Sequence, residues 1–348
     1  NVVQFKFQQP RTRPMNYVFA KLDNTPIAQN KKHYWQSLHG SAKALAIAEH
    51  ACKSKNLSLV VCESMQMASQ LERELAFFAP ELNILQLPDW ETLPYDNMSP
   101  HQDIISERLS TLSQLAVVKF GVLVVPITTL MHRLAPRSFI SANSLIIKHG
   151  SQFDIKARRA EFESCGYRCV DTVYEHGEFA VRGSIVDVFP SGARKPYRID
   201  LFDEEVETLR TFDTETQLPI DKIDEIRLLP AREYPLDPEG VSSFRNNWHH
   251  HFDVDHRLCS VYQDVSDALP SAGIEYYLPL FFKKMETLFD YLPENTEIIN
   301  IGQTNLTLER FWRELNNRFD SRKGDLQRPI LPPQDIFLSA DEVFAQYK

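Results

Sequence analysis

The segment Ser-Leu-His-Gly-Ser-Ala-Lys-Ala, which begins at Ser37, has the outline of a phosphate-binding loop of the form G-x-x-x-x-G-K-[ST]. In such a loop, glycines let backbone N–H groups surround the phosphates, and the final hydroxyl binds Mg²⁺. Here Ser37 and Ala42 stand where the two glycines are expected, and Ala44 replaces the hydroxyl residue. Gly40 occupies a variable position, so Lys43 is the one defining residue that is kept. We predict a degenerate loop that does not bind a nucleotide.

Other patterns that could support catalysis are weak. Acidic pairs occur at Asp89/Glu91 and at Glu204-Glu205. Catalytic carboxylates need a pocket that shifts their pKa values, and no pattern here indicates one, so exposed or capping positions are expected. The sequence contains neither a G-x-S-x-G nucleophile elbow nor an H-E-x-x-H metal motif. We therefore predict no catalytic residues.

Histidines and cysteines are the remaining candidates for metal ligands. The run His249-His250-His251, with His256 nearby, contains enough imidazoles to bind a metal. Consecutive residues of a helix point in different directions, however, so a solvated helix face is expected instead. The cysteines are odd in number and scattered, which predicts reduced structural thiols in a cytoplasmic protein. They are Cys52, Cys62, Cys165, Cys169 and Cys259. We predict neither a metal nor a cofactor.

The length and charge of the chain limit what it can do. With 348 residues, it is long enough for two or three domains. The net charge of −9 argues against a large surface for binding nucleic-acid phosphates. No apolar run reaches the roughly 18–20 residues that span a bilayer, so no membrane partner is expected. Residues 1–14 are interpreted as an N-terminal extension or a cloning remnant, with Met15 as a candidate start.

Two kinds of secondary-structure pattern follow one another along the chain. From about 35 to 135, helical and apolar strand patterns alternate, with strands predicted at 57–62 and 120–126, which indicates a parallel sheet flanked by helices. Ser99-Pro100-His101-Gln102 predicts a capping box, with Ser99 as the N-cap of a helix. After 144 the pattern becomes strand-rich and indicates an inserted α+β unit. It has a helix at 155–164 and strands at 167–174, 178–189, 197–202 and 206–212.

A third composition begins near 231, with many aromatic residues and prolines. It includes an amphipathic helix in which Leu308, Trp312, Leu315 and Phe319 share a face with Phe311. The final residues look like an unfinished helical segment, so the chain is interpreted as part of something longer.

Three contiguous segments resemble one protein family. They are LPDWETLPYD with SPHQDIIS (87–96 and 99–106), EHGEFAVRG with DVFP (175–183 and 187–190), and AGIEYY with PLFF (272–277 and 279–282). Together they resemble the N-terminal portion of the bacterial transcription-repair coupling factors, the Mfd family, which is similar in turn to the excision-repair protein UvrB. The resemblance covers essentially everything from Met15 onward.

The resemblance implies a fold class and a domain layout. The fold is α/β, with a UvrB-like, degenerate helicase-type parallel-sheet domain, an inserted α+β domain and a third smaller domain. We expect a UvrB-like domain 1a at 15–143, an inserted domain 2 at 144–230 and a domain 1b at 231–348. In this family, an RNA-polymerase-binding domain and a DNA translocase motor follow, and neither is in this chain. RNA polymerase and DNA would therefore be partners through those parts alone.

The sequence departs from UvrB in two places. One is the degenerate loop at Ser37–Ala44. The other is the short link between Asp96 and Ile104, where UvrB carries a long aromatic β-hairpin that probes damaged DNA. Without the hairpin, no aromatic wedge remains for base stacking. We expect no ATP hydrolysis and no lesion verification from this chain.

The inserted domain is the expected docking site, since the resemblance implies that it binds UvrA, the damage-recognition ATPase. The implied contact residues are Arg182, Arg198 and Phe202. Strand alternation supports the last two independently, because Tyr197, Ile199 and Leu201 would face the core and Arg198 and Phe202 the other side. An aromatic residue beside an arginine is typical of a binding hot spot. The alternative is that both faces of this strand are covered, or that Phe202 packs beneath a loop.

Arg182 is less clear from the pattern. It shares parity with Val186 and Val188, so alternation groups it with apolar residues unless Gly183 introduces a bulge. An ion pair with Glu178 or Asp187 is the structural alternative, and the binding role rests on the resemblance. The leading hypothesis is therefore a non-enzymatic module that recruits UvrA to stalled transcription. The alternatives are a divergent nucleotide hydrolase and a UvrB-like DNA-binding domain.

Overall fold

A computed structural model describes Trp35 and residues 38–347. The predicted extension at 1–14, the candidate start Met15 and the loop residue Ser37 lie outside the described residues. The helices are α1 Ala42–Ser54, α2 Met65–Phe78, α3 Gln102–Leu115, α4 Ile127–Leu130, α5 Arg137–Ala142, α6 Ile155–Ser164, α7 Pro238–His251, α8 Ser260–Ser266, α9 Leu288–Tyr291, α10 Thr304–Arg322, α11 Pro333–Ile336 and α12 Ala340–Gln346.

The strands are interspersed with these helices along the chain, and short 3₁₀ segments occur at His256–Leu258 and Ile274–Leu280. The strands are β1 Leu57–Cys62, β2 Ile84–Gln86, β3 Gly121–Pro126, β4 Arg133–Leu134, β5 Leu145–Lys148, β6 Arg168–Cys169, β7 Glu178–Arg182, β8 Ile185–Phe189, β9 Tyr197–Phe202, β10 Glu205–Phe212, β11 Pro219–Ile223, β12 Glu225–Leu228, β13 Glu286–Thr287 and β14 Glu297–Asn300.

The first unit is built on a four-stranded parallel sheet in the order β14-β1-β3-β2. Every residue of β1 and β3 is buried, as expected for central strands that are covered on both faces. Helices α1 and α2 pack on one face over Val60, Val122 and Val124. On the other face, α3 contributes to a large core with Leu59 and Leu123. The predicted parallel α/β arrangement is present.

Residues 231–347, the described part of the expected domain 1b, share this sheet and its core. Strand β14 pairs in parallel with β1, from Ser58 opposite Glu297 to Val61 opposite Asn300. Buried side chains of α7, α8 and α10 belong to the same hydrophobic cluster as those of β1, β3 and α3. The aromatic composition of this segment reflects the packing of that common core, so a composition change did not mark an independent folding unit.

Helix α3 begins differently from its sequence pattern, and the predicted capping box is wrong. The helix starts at Gln102, and the Nδ1 atom of His101 accepts the hydrogen bond from the backbone N–H of Asp103 at 3.3 Å. The Ser99 hydroxyl instead donates to Glu275 Oε2 at 2.9 Å. A contact with a distant segment therefore engages the hydroxyl that a local cap would have used.

The inserted unit is a six-stranded sheet in the order β11-β10-β9-β8-β7-β6. Neighbouring strands are antiparallel except for β6 and β7. The strand predicted at 178–189 is a hairpin, β7 and β8, with a two-residue turn at Gly183-Ser184. One face is covered by α6 and by a two-stranded ribbon of β5 and β12, through which the chain arrives and leaves.

Polar contacts hold the inserted unit, and the segment that follows it, against the parallel-sheet unit. The buried Glu233 carboxylate accepts from Arg108 Nε at 2.9 Å and from Trp90 Nε1 at 3.0 Å. His176 Nδ1 lies 2.7 Å from Asp103 Oδ1. Within residues 38–347, no helix combines the length and apolar character needed to cross a membrane.

Candidate functional site

The degenerate loop leads into α1, which begins at Ala42. Gly40 has a φ of +54°, and the hydroxyl of Ser41 donates to Glu74 Oε1 at 3.0 Å. The side chain of Ala44, at the position of the Mg²⁺-binding hydroxyl, is completely buried in the helix-packing core. A carboxylate therefore lies next to the helix end at which a nucleotide loop would hold phosphate. Lys43 is the one defining residue of the loop that is kept.

A cleft of about 380 Å³ opens at the carboxyl ends of the parallel strands. In parallel α/β sheets, ligands generally bind at this edge. Carboxylates dominate the ionisable groups that line it, with one arginine among them: Glu63, Asp89, Glu91, Glu314 and Arg310. Such a lining repels the phosphates of a nucleotide.

The histidine and cysteine side chains were the sequence's candidates for metal ligands. In the part of the chain that the structure describes, no three His, Cys, Asp or Glu side chains form a metal-binding group. The cysteines of this part are all free thiols. The three consecutive histidines lie in the last turn of α7, and His249 Nε2 is 3.2 Å from the hydroxyl of Tyr262.

The predicted docking residues lie together on the second face of the six-stranded sheet. The two-residue turn of the β7–β8 hairpin pairs Arg182 with Ile185 and Ala180 with Asp187. Residues directly opposite each other in a hairpin face the same side of the sheet. Even-numbered residues of β7 therefore share a face with odd-numbered residues of β8, and Arg182 lies on the same face as Asp187. Asp187 in turn pairs with Arg198 on β9. The expectation that grouped Arg182 with Val186 and Val188 is wrong for this reason, and no bulge is involved.

Asp187 is a buried carboxylate that is shared by two arginines. Arg198 binds it bidentately, with Nε 2.7 Å from Oδ1 and Nη2 2.9 Å from Oδ2. Arg182 Nη2 contacts the same Oδ2 atom. The Arg182–Asp187 ion pair that the sequence left open as an alternative is therefore present. Two guanidinium groups on one carboxylate leave a net positive charge on this cluster of three side chains.

Arg198 is held by several further contacts. Its Nη1 atom donates to the backbone carbonyl of Gln217 at 3.0 Å, and its guanidinium lies over the Phe212 ring at 4.7 Å from the centroid. Hydrogen bonding to Asp187 raises the pKa of Arg198. Only 14% of the Arg198 side chain is exposed, whereas that of Arg182 is 44% exposed. Arg198 is thus less available to a partner than strand alternation suggested.

Phe202 is the exposed aromatic residue of this face. It is the last residue of β9, beyond which the chain turns at Asp203 with a φ of +53°, and it pairs with Glu205 on β10. Its relative exposure is 70%, whereas Ile199 and Leu201 on the opposite face are buried. The alternative of a Phe202 covered by a loop does not describe this structure. We define the docking face as Arg182, Asp187, Arg198 and Phe202.

Sequence reasoning considered Asp187 only as an ion-pair partner of Arg182, and it missed Phe212 and Gln217 as parts of this arrangement. Asp187 did carry a signal, because it interrupts the apolar run Ile185–Phe189, and buried charges are normally paired. Phe212 and Gln217 reach Arg198 from β10 and the following turn. Their contacts with Arg198 depend on which strand lies beside β9, and the alternation of side chains within one strand does not reveal that neighbour.

Comparisons with known proteins match the inserted unit and most of the chain. A family model described as "UvrB interaction domain" matches residues 145–234. The transcription-repair-coupling factor of Escherichia coli is 42% identical over 324 residues, which are 93% of this chain and 28% of that protein. The corresponding factor of Haemophilus influenzae is 43% identical over 312 residues, 88% of this chain and 27% of that protein. The corresponding factor of Rickettsia bellii is 32% identical over 300 residues, 83% of this chain and 26% of that protein. The chain thus spans little more than a quarter of these relatives.

Proposed function

Because the chain belongs to the transcription-repair coupling factor family as an N-terminal part of it, we propose that it is a non-catalytic module that recruits UvrA to stalled transcription. UvrA would dock on the second face of the six-stranded sheet in the inserted unit. The remaining residues would form a frame and an internal surface for the rest of the protein. RNA polymerase and DNA would bind through parts outside this chain. The expected location is the cytoplasm.

The observation that carries this proposal is the exposed Phe202 on the sheet face that also bears Arg182 and Arg198. Folding does not account for a 70% exposed phenylalanine at the end of a strand whose other face is fully packed. Interface anchors are typically aromatic residues and arginines in such clusters. The proposed partner surface is an apolar pocket bordered by carboxylates.

The three residues have different roles in this proposal. Phe202 enters the partner's pocket, and Arg182, which is half exposed, pairs with an acidic group on its rim. Arg198 acts mainly as a positioning residue, since its guanidinium is engaged with Asp187, Gln217 and Phe212. On docking, the shared carboxylate lets Arg182 turn outward while Asp187 remains paired with Arg198.

The absence of ATPase activity is also part of the proposal. Ala42 and Ala44 supply neither the glycine nor the hydroxyl of a nucleotide loop, and the cleft at the sheet edge is lined by carboxylates. No cofactor is therefore proposed, and UvrA binding would not depend on ATP bound to this chain.

The proposal is tested by titrating the chain with UvrA in a calorimeter, with gel filtration as a second readout. We expect a saturable one-to-one complex, and no heat from Mg-ATP titrated into the chain alone. Failure of UvrA to bind would remove the recruitment role. Saturable Mg-ATP binding would favour a divergent nucleotide site, and DNA binding as tight as that of UvrA would favour a UvrB-like DNA-binding domain.

A further inference from the structure

A second cleft, of about 390 Å³, lies on the outer face of α7. Ser242, Arg245, Asn246 and His249 line it. Their spacing of i, i+3, i+4 and i+7 places these four side chains on one face of the helix. The volume lies within the range of about 300–1,000 Å³ that is typical of small-ligand clefts. We call this cleft the α7 groove.

Tyr262 from α8 forms the base of the α7 groove. Its side chain is buried, and its hydroxyl lies 3.2 Å from Arg245 Nε and 3.2 Å from His249 Nε2. The ring of His256 packs against those of Tyr262 and His249, with centroids 4.6 and 5.2 Å apart. The hydroxyl thereby orients an arginine and a histidine toward the same space.

The polar groups of the α7 groove are hydrogen-bond donors that lack a counterion. None of its lining residues is acidic. Among the described residues, Arg245 has no carboxylate partner, and the side chains of Ser242 and Asn246 make no protein hydrogen bond. The neighbouring Arg257, by contrast, is paired with Asp255 at 2.8 Å. On a chain with a net charge of −9, the guanidinium of Arg245 is thus a local positive group without a carboxylate beside it.

We propose that the α7 groove binds a phosphoryl group. The planar guanidinium of Arg245 suits bidentate recognition of a phosphate, and the amide of Asn246, the hydroxyl of Ser242 and the imidazole of His249 can donate to its remaining oxygens. The same chemistry would accept a free phosphate compound or one phosphate of a DNA backbone. The α7 groove and the docking face consist of different residues, so this inference is independent of the proposed function.

The test uses the whole chain and inorganic phosphate at constant ionic strength, with chloride as the balancing anion. Binding is followed by calorimetry and by chemical shifts of the histidine rings. We expect saturable binding, weakened at least about tenfold by Arg245→Gln because a charge-assisted contact is lost. Arg313→Gln is the matched control, since it removes the same charge from an exposed position of another helix, and it should leave phosphate binding unchanged.

Tyr262→Phe provides a second variant that keeps the ring and removes only the hydroxyl. We expect weaker phosphate binding at unchanged stability, because the hydroxyl orients both Arg245 and His249. Absence of saturable binding, or equal weakening by Arg245→Gln and Arg313→Gln, would overturn the proposal. A short DNA duplex that competes with phosphate identifies the backbone as the source of the phosphoryl group. A duplex that does not compete identifies a free phosphate compound.

Discussion

At the scale of single residues, the docking face depends on how one carboxylate is shared. Asp187 is completely buried and is satisfied mainly by Arg198, while Arg182 reaches it from a half-exposed position. Breaking a buried ion pair by removing one partner is far more costly than breaking an exposed one. The two arginines therefore differ in what they contribute to folding, although both belong to the same face.

We predict that Arg198→Ala destabilises the inserted unit by about 3 kcal/mol, because Asp187 is left buried with only a partly exposed partner. Arg182→Ala should cost less than about 1 kcal/mol, since the bidentate Arg198 contact survives. Urea unfolding of both variants measures the difference. Equal free energies of unfolding for the two variants would show that Arg198 is not the main partner of Asp187.

The sequence predicted the residues of this face better than their roles. Alternation along β9 correctly separated Phe202 from the buried Ile199 and Leu201. It could not reveal that Arg198 lies over Phe212, because that contact comes from the neighbouring strand. For Arg182, the length of the hairpin turn decided the face, and a two-residue turn cannot be distinguished from a bulge by parity alone.

At the scale of elements, the 3₁₀ segment Ile274–Leu280 carries a buried carboxyl group. Glu275 is enclosed where this segment meets the residues before α3, and it accepts a hydrogen bond from Ser99. Burial raises the pKa of Glu275 to about 7. The same contact explains why α3 lacks the cap that its sequence predicts, since the Ser99 hydroxyl serves a tertiary interaction.

This raised pKa predicts a pH dependence of stability. Between pH 4.5, the ordinary value for a glutamate, and pH 7, the folded state holds a proton at Glu275 that the unfolded state has lost. Folding stability contributed by this group is therefore greatest below pH 4.5 and falls as the pH rises to 7. We expect Glu275→Gln to remove that fall, which amounts to about 3 kcal/mol for a shift from 4.5 to about 7.

Thermal unfolding of the wild type and Glu275→Gln from pH 4.5 to 8 tests this prediction. The free-energy difference between the two proteins should change across pH 4.5–7 and become constant above that range. Parallel stability curves for the two proteins would contradict a raised pKa for Glu275. Glu294→Gln, at an exposed glutamate in the turn after α9, serves as a control that should follow the wild type.

At the scale of the whole molecule, the inserted unit is attached to a single larger core. Glu233 lies where the chain returns from the insertion, and its carboxylate binds the buried Arg108 and Trp90 of the parallel-sheet unit. Composition predicted an insertion after residue 144 and a third composition after about 231. It could not indicate that residues after 231 complete the first sheet, since pairing of β14 with β1 joins segments that are far apart in sequence.

We predict that Glu233→Gln lowers the free energy of unfolding by about 3–5 kcal/mol, because the Arg108 charge would remain buried without a counterion. Glu342→Gln is the matched control, since it breaks the more exposed pair with Arg133 and should cost less than about 1 kcal/mol. Denaturant unfolding measures both changes. Comparable losses in the two variants would show that the buried contact does not stabilise the attachment.

The most direct test of the proposed recruitment role is the affinity for UvrA of Phe202→Ala compared with Ile146→Ala. Both substitutions remove an exposed apolar side chain from the inserted unit, but Ile146 lies on the β5–β12 ribbon. We predict at least about tenfold weaker binding for Phe202→Ala and wild-type binding for Ile146→Ala, with stability unchanged in both. Undiminished binding by a folded Phe202→Ala variant would contradict this prediction.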